Sequence, residues 1–472
     1  MAVEKFLIDK MLEKLKFAPT ACQKNLFETL ADFISGDDKE NWLMLVNGYA
    51  GTGKTTAISS FVKVLSDLHY RYILLAPTGR SAKVLANYTG FKTKTIHKQI
   101  YRQKSIGDGF GLFSLDMNKN KDTVFVVDEV SLISTGNYGG KTIFGSGDVL
   151  GDLVSYVRAN TGNRLILVGD PAQLPPVGME KSPALDPDYL KIYGNVTECF
   201  LKNVVRQAGE SGILNNATIL RNAIEHDETG ITPLAIEGFP DVERIMGGDL
   251  IEKISDASDE YGPDGMVVLC RSNKRANIYN MGIRNRVFYR EEQLTRSDKL
   301  MIVKNCYQFL DNVPEMDFIA NGDVAELLSV SDFEERYGLH FAKATIAFPD
   351  YENVEITVRL ILDTLTSESA ALGAEQQKTL FDGVYNDYED IKTKKKRLMA
   401  VREDQYFNAL QIKYATAITC HKSQGGQWDC VFIDNCFWRE DISVDDKKWL
   451  YTAITRAVKK VYLVNFNDKF FR

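Results

Sequence analysis

Residues 42–56 read Trp-Leu-Met-Leu-Val-Asn-Gly-Tyr-Ala-Gly-Thr-Gly-Lys-Thr-Thr, and this stretch decides the fold. Trp42–Val46 is a short, uniformly apolar run of the kind that forms a strand buried on both faces. Gly48 to Thr55 matches Gly-x-x-x-x-Gly-Lys-Thr in full, between that strand and a predicted helix over 54–68. In that setting the motif cradles phosphate. Glycines at 48, 51 and 53 let backbone N–H groups turn toward an anion at a helix N-terminus, whose dipole favours negative charge. Lys54 then reaches the β- and γ-phosphates, the Thr55 hydroxyl ligates Mg²⁺, and Thr56 joins the nucleotide contacts. ATP and Mg²⁺ are the expected cofactors.

Outward from this loop, strand and helix alternate. The runs 72–76 (YILLA), 123–128 (TVFVVD) and 164–169 (RLILVG) read as buried strands, with helices predicted over 80–88 and 148–159. Such alternation implies a parallel sheet covered on both faces. The 123–128 strand ends in Asp128-Glu129. Asp128 can hold Mg²⁺ through water while Glu129 orients an attacking water, a division of labour that suits hydrolysis. A second α/β set starts near Gly265, with strands 266–270 (MVVLC), 430–434 (CVFID) and 460–466 (KVYLVNF). Between its halves, strand-like runs with polar turns and no intervening helices predict a small antiparallel barrel. A polar helical excursion comes next over 365–408, and its basic run from Lys392 to Arg397 reads as a solvated helix face.

Bulk properties set limits. A chain of 472 residues carries two or more domains at roughly 100–200 residues each. No stretch approaches the ~20 apolar residues of a membrane span, and the seven cysteines are scattered with no Cys-x-x-Cys pair. That pattern fits reduced thiols in a cytoplasmic protein. The net charge of −7 is unlike that of a protein coating DNA over its whole surface, but a local positive groove suffices to grip one strand.

Four further motifs lie in order. They are Ala76-Pro-Thr-Gly-Arg-Ser-Ala-Lys-Val-Leu85, Leu167-Val-Gly-Asp-Pro-Ala-Gln-Leu-Pro-Pro-Val177, Thr419-Cys-His-Lys-Ser-Gln-Gly425 and Leu450-Tyr-Thr-Ala-Ile-Thr-Arg-Ala457. They resemble motifs Ia, III, V and VI of superfamily 1 helicases, in the RecD-like and phage Dda-like branch. The resemblance implies two RecA-like parallel-sheet domains, with a small hairpin insertion in the first and an SH3-like β-barrel insertion in the second. The first domain would span 1–206, with the hairpin over 99–121. The second would span 207–290 and 411–472, interrupted by the barrel insertion over 291–410.

The same resemblance assigns roles. Gln23, three residues after Thr20, would read adenine, and Gln173 would sense the γ-phosphate. Arg206 and Arg456 would reach that phosphate when the domains close, while Gln424 and Gly425 would join the nucleotide site. Thr78, Thr95, His97, Lys98, His421 and Lys422 fall where the family grips a single strand, through contacts that position and carry no sequence information. The Gly107-Asp-Gly109 turn with Phe110 and Phe113 fits a hairpin tip bearing an aromatic wedge, or equally a loop whose rings pack on the core. The implied activity is ATP-dependent translocation on single-stranded DNA, 5′ to 3′, by a monomeric motor that unwinds fork DNA. A translocase without unwinding differs at the hairpin. A binding subunit without hydrolysis conflicts with intact Glu129, Gln173 and Arg456. A channel that reads backbone leaves RNA open.

Overall fold

The computed structural model describes residues 2–15, 17–36, 40–103, 113–136, 145–204, 211–310, 313, 316 and 318–472. In the first half the strands are β1 (Leu43–Gly48), β2 (Arg71–Ala76), β3 (Thr93–Thr95), β4 (Tyr101–Gln103), β5 (Phe113–Leu115), β6 (Thr123–Val127), β7 (Arg164–Gly169) and β8 (Val196–Leu201). Six of them form a sheet ordered β3-β2-β6-β7-β1-β8, and every pairing is parallel. The alternating faces explain the uniformly apolar sequence of β1. Met44 and Val46 pack under one layer with Phe27 and Ile58, and Leu43 and Leu45 under the other with Phe125 and Leu153. The edge strand β8 escapes a reading by apolar runs because only alternate residues are buried and Glu198 interrupts it.

The second half holds β9 (Val242–Ile245), β10 (Met266–Cys270), β11 (Lys299–Ile302), β12 (Val324–Arg336), β13 (Leu339–Phe348), β14 (Val354–Ile361), β15 (Leu410–Tyr414), β16 (Ala417–Thr419), β17 (Trp428–Asp434) and β18 (Ala457–Val464). A second parallel sheet runs β16-β10-β17-β18-β9. Its core is again two-sided, with Val267, Val431 and Val461 on one face and Val268, Phe432 and Val464 on the other. This sheet takes its first strand from Val242–Ile245, upstream of Gly265. Those four residues include Glu243 and Arg244 and give no apolar run to read.

Strands β11 to β15 close a barrel. Four come from the runs read as strands, and the fifth, Leu-Gln-Ile-Lys-Tyr at 410–414, lies just past the helical excursion. It pairs antiparallel with β11 and parallel with β14, sealing the edges that an open sheet would expose. The excursion contains two helices, Ala374–Asp387 and Lys394–Glu403. Lys392, Lys394, Lys395 and Lys396 are exposed there, while the Arg397 guanidinium sits 3.7 Å from the Tyr385 ring centre.

Candidate nucleotide site and nucleic-acid clefts

The loop after β1 turns through Gly51 and Gly53, both at φ +75°, a conformation that a side chain at Cβ resists. The helix Lys54–Asp67 comes next with no side-chain cap, so its first N–H groups point outward, ready for an anion. Lys54 Nζ folds over its own loop, donating to the carbonyls of Gly48 (2.5 Å) and Tyr49 (2.9 Å), and stands 3.8 Å from Asp170 Oδ2.

Asp128 and Glu129 leave the end of β6 beside this loop. The Thr55 hydroxyl lies 3.4 Å from Asp128 Oδ2, and the Glu129 N–H donates to Asp128 Oδ1 at 2.8 Å. Burial, then the adjacent Glu129 charge, raises the Asp128 pKa, against the opposing pull of Lys54 and Thr55. A carboxylate so short of positive charge, with a hydroxyl alongside, suits a divalent cation. Glu129 adopts φ +56°, a left-handed conformation costly for a side chain and common at functional positions. Its Oε2 is buried without a hydrogen-bond partner, as is Gln173 Oε1.

Both orphaned groups line one cleft of ≈ 310 Å³, together with Lys54, Thr55, Thr56 and Asp128 from the first sheet's domain. Gly425, Gly426 and Arg456 close it from the second. Arg456 is buried and poised there, its guanidinium donating to the carbonyls of Thr452 (3.1 Å) and Gly426 (3.3 Å) and to the Thr455 hydroxyl (3.3 Å). Gly425 packs so close that a Cβ there would come within 2.8 Å of Ser81 Cβ. Gln424 does not line this cleft; its amide donates to the Leu174 carbonyl at 2.7 Å, tying motif V to motif III.

Gln23 is fully buried, and both ends of its amide are engaged. Oε1 accepts from the Thr20 N–H at 3.1 Å in a capping box, and Nε2 donates to the Thr52 carbonyl at 3.1 Å. The residue thus anchors its helix to the phosphate loop, and reading a base would require that amide to exchange partners. Arg206 lies outside the described residues.

Two further clefts are lined by residues expected from the sequence to meet a strand. Thr78, His421 and Lys422 line one of ≈ 390 Å³ that also touches the barrel at Asn321–Val324. Thr95 and Lys98 line a larger groove of ≈ 790 Å³ with Lys83, Lys92 and Lys94. Thr78 and Thr95 each cap a helix, their hydroxyls accepting the N–H of Ser81 and of Lys98 at 3.2 Å. Lys422 donates to the Asn321 side chain across to the barrel. Burial lowers its pKa to about 8 and lowers that of His421 as well. His97 lines neither cleft: its ring stands 5.5 Å from that of Tyr101, and burial lowers its pKa to about 4. It is therefore neutral near pH 7, half-buried between Tyr101 and Phe318 of the barrel insertion, whose ring stands 6.2 Å away.

Of the two readings of Phe113, the structure shows the packed one. Strands β4 and β5 do pair antiparallel, with Gln103 opposite Phe113. The Phe113 ring is only 7% exposed, 4.8 Å from the Tyr307 ring and 6.3 Å from that of Phe318. A large ring beside a barrel wall gains more from burial than from projecting into water, and Phe113 is core. Phe110 and the Gly107–Gly109 turn lie outside the described residues.

Contacts that the sequence does not reveal join the two halves. Tyr451 and Thr452, from the helix Val444–Ile454, reach the phosphate loop and motif III. The Arg80 guanidinium lies 3.8 Å from the Trp428 ring centre, and Lys83 pairs with Asp350 of the barrel at 3.2 Å. Tyr451 sits inside motif VI, yet nothing in the sequence alone marks its partners.

Comparison with known proteins completes the picture. Residues 23–245 match the family model of an AAA domain, and residues 414–464 match that of a UvrD-like helicase C-terminal domain. The ATP-dependent DNA helicase dda of Enterobacteria phage T4 is 22% identical over 94% of this chain and 99% of its own. The ATP-dependent RecD2 DNA helicase of Deinococcus radiodurans is 31% identical over 166 residues, 34% of this chain. The chain is thus similar to ATP-dependent DNA helicases over most of its length, and its C-terminal part matches a helicase model. It spans only 37% of a matching Methanocaldococcus jannaschii protein and 19% of the RecD2 protein. Among solved structures, a Bacteroides Pif1 helicase in complex with ADP-AlF3 and single-stranded DNA has a TM-score of 0.49 at 15% identity, over 97% of this chain and 95% of that one. Among the described residues, no helix is long and apolar enough to cross a membrane.

Proposed function

We propose that the protein is an ATP-hydrolysing DNA helicase that translocates 5′ to 3′ on single-stranded DNA and unwinds duplex at a fork. The observation that carries this reading is the composite cleft, in which Lys54, Asp128 and Glu129 from one sheet's domain face Arg456 from the other's. A site split between two bodies ties the chemistry to their relative position, which is what a motor requires.

In this reading the loop N–H groups and Lys54 hold the β- and γ-phosphates of ATP. Thr55 and Asp128 would hold Mg²⁺, whose charge offsets that of the phosphates. Glu129, strained and with a free carboxylate oxygen, orients the attacking water. Gln173 offers its unpartnered amide oxygen to the same cleft. Arg456 leaves its carbonyl partners to stabilise charge on the transferring phosphoryl group as the halves close. The strand would run through the two lysine-bearing clefts, gripped through its phosphates by Thr78, Thr95, Lys98, His421 and Lys422. The domain boundaries rest on the resemblance, with the end of the barrel insertion moved past 410 to include Leu410–Tyr414, and a monomeric state rests on it too.

The reading is tested by steady-state ATP turnover with and without single-stranded DNA. Slow turnover alone and strong stimulation by DNA support it. Equal rates would separate the cleft from the strand and refute it.

A further inference from the structure

The ATP site contains a hydrogen-bonded chain that crosses between the two sheet domains. Its centre is Tyr451, fully buried on the helix Val444–Ile454. The Tyr451 hydroxyl accepts the N–H of Ala50 in the phosphate loop at 2.8 Å and donates to Asp170 Oδ2 at 2.7 Å. That same oxygen lies 3.8 Å from Lys54 Nζ, while Asp170 Oδ1 accepts the Ala172 N–H at 3.0 Å. One residue on, the Thr452 hydroxyl accepts the Leu174 N–H at 2.9 Å, and the helix ends just before Arg456. Burial beside the Asp170 carboxylate holds the phenol pKa well above its usual value, so the hydroxyl remains a donor.

We infer that Tyr451 is a positioning residue that makes the placement of the helix leading into Arg456 depend on the state of Lys54. The inference rests on the motor reading of the same cleft. Lys54 shares Asp170 Oδ2 with the Tyr451 hydroxyl, and a γ-phosphate would draw the ammonium away from that oxygen. On its Oδ2 side the carboxylate then leans on the tyrosine alone, and the pull passes to the helix that leads into Arg456. Motif III and the phosphate loop thus report on the nucleotide to the second sheet through this phenol, beside the Thr452 and Gln424 contacts to Leu174. The hydroxyl itself contacts neither phosphate nor water in this scheme; it acts through Asp170 and Ala50.

The test is Tyr451→Phe in the full chain, which keeps the ring and deletes both hydrogen bonds. Binding of a fluorescent ATP analogue should change by less than about threefold, since the phosphate contacts remain, while DNA-stimulated kcat falls about tenfold or more. The ratio of stimulated to unstimulated turnover should shrink accordingly, which a general loss of folded protein would not produce. An unchanged ratio in the variant, beside a stimulated wild type, overturns the inference and leaves the motor reading intact. A wild type that DNA does not stimulate refutes the motor reading itself. If Tyr451→Phe fails to fold, Asp170→Asn takes its place. It keeps an acceptor for the phenol but removes the charge shared with Lys54, so stimulation must fall there too. Normal stimulation in Asp170→Asn overturns the inference.

Discussion

Replacing Phe113 by Ala separates a packed ring from a wedge, and its consequence can be worked from the structure. The side chain is 7% exposed, and it meets the Tyr307 ring at 4.8 Å. Truncating a buried Phe costs ~3–5 kcal/mol, because transfer energy and the residual cavity add. The hairpin stem has three paired positions, Tyr101–Leu115, Arg102–Ser114 and Gln103–Phe113. It is also tied down by the Tyr101 hydroxyl, which donates to Asp152, so the full cost of the cavity is an upper bound on the local loss. At about 1.4 kcal/mol per factor of ten, a loss of up to that size raises the local opening equilibrium by up to roughly 10²–10⁴-fold. Hydrogen exchange of the 101–103 and 113–115 amides should accelerate by that order, while amides of the helix Lys54–Asp67 keep their protection. Phe113→Leu should recover most of the protection by refilling much of the cavity. Unchanged exchange in Phe113→Ala, with strand separation lost and ATP turnover kept, would refute the packing argument and return the ring to the fork.

Other perturbations probe the site and its surroundings. Lys54→Ala should abolish ATP turnover and weaken nucleotide binding, whereas Glu129→Gln should retain bound nucleotide while turnover falls ~10²–10⁴-fold; titrations beside turnover rates tell them apart. Affinity for single-stranded DNA should fall linearly with salt on logarithmic axes, with a slope of about −0.7 for each phosphate contacted, and show little base preference. Fluorescence anisotropy on homopolymers of different bases checks this. His97 has a pKa lowered by burial to about 4 from 6.5, so the unfolded chain binds its proton first as pH falls. Its contribution to stability is complete above pH ~6.5 and is lost progressively toward pH ~4, a loss that His97→Gln should lessen in melting curves across that window.

Much of this fold is legible in the sequence because buried parallel strands must be apolar on both faces. Leu43–Val46, Thr123–Val127 and Arg164–Gly169 announce themselves for that reason, and the phosphate loop dictates the turn and helix after the first of them. The edge strand Val196–Leu201 and the short Val242–Ile245 do not, since an edge buries fewer side chains and tolerates Glu198, Glu243 and Arg244. The fifth barrel strand hides behind the helical excursion, because pairing that joins residue 300 to residue 414 leaves no local trace. At the site, the residue types for phosphate chemistry are readable from spacing. Which side chain holds which is not. Tyr451 on Asp170 and Arg80 on Trp428 are contacts across long separations, fixed only when the two halves pack, and Gln23 on Thr52 is fixed only when its helix packs on the phosphate loop. Phe113 shows the same limit, since nothing within 99–121 reveals that Tyr307 and Phe318 wait to cover it.

The central claim, that ATP turnover in the composite cleft drives strand separation, meets its most direct test in strand displacement. Duplexes bearing a 5′ or a 3′ single-stranded tail, each with and without ATP, would be incubated with the full chain and the released strand measured. The account predicts release only with ATP and only from the 5′-tailed duplex, with Glu129→Gln inactive on both. Release without ATP, or none from either duplex by a protein whose ATP turnover DNA stimulates, would contradict it.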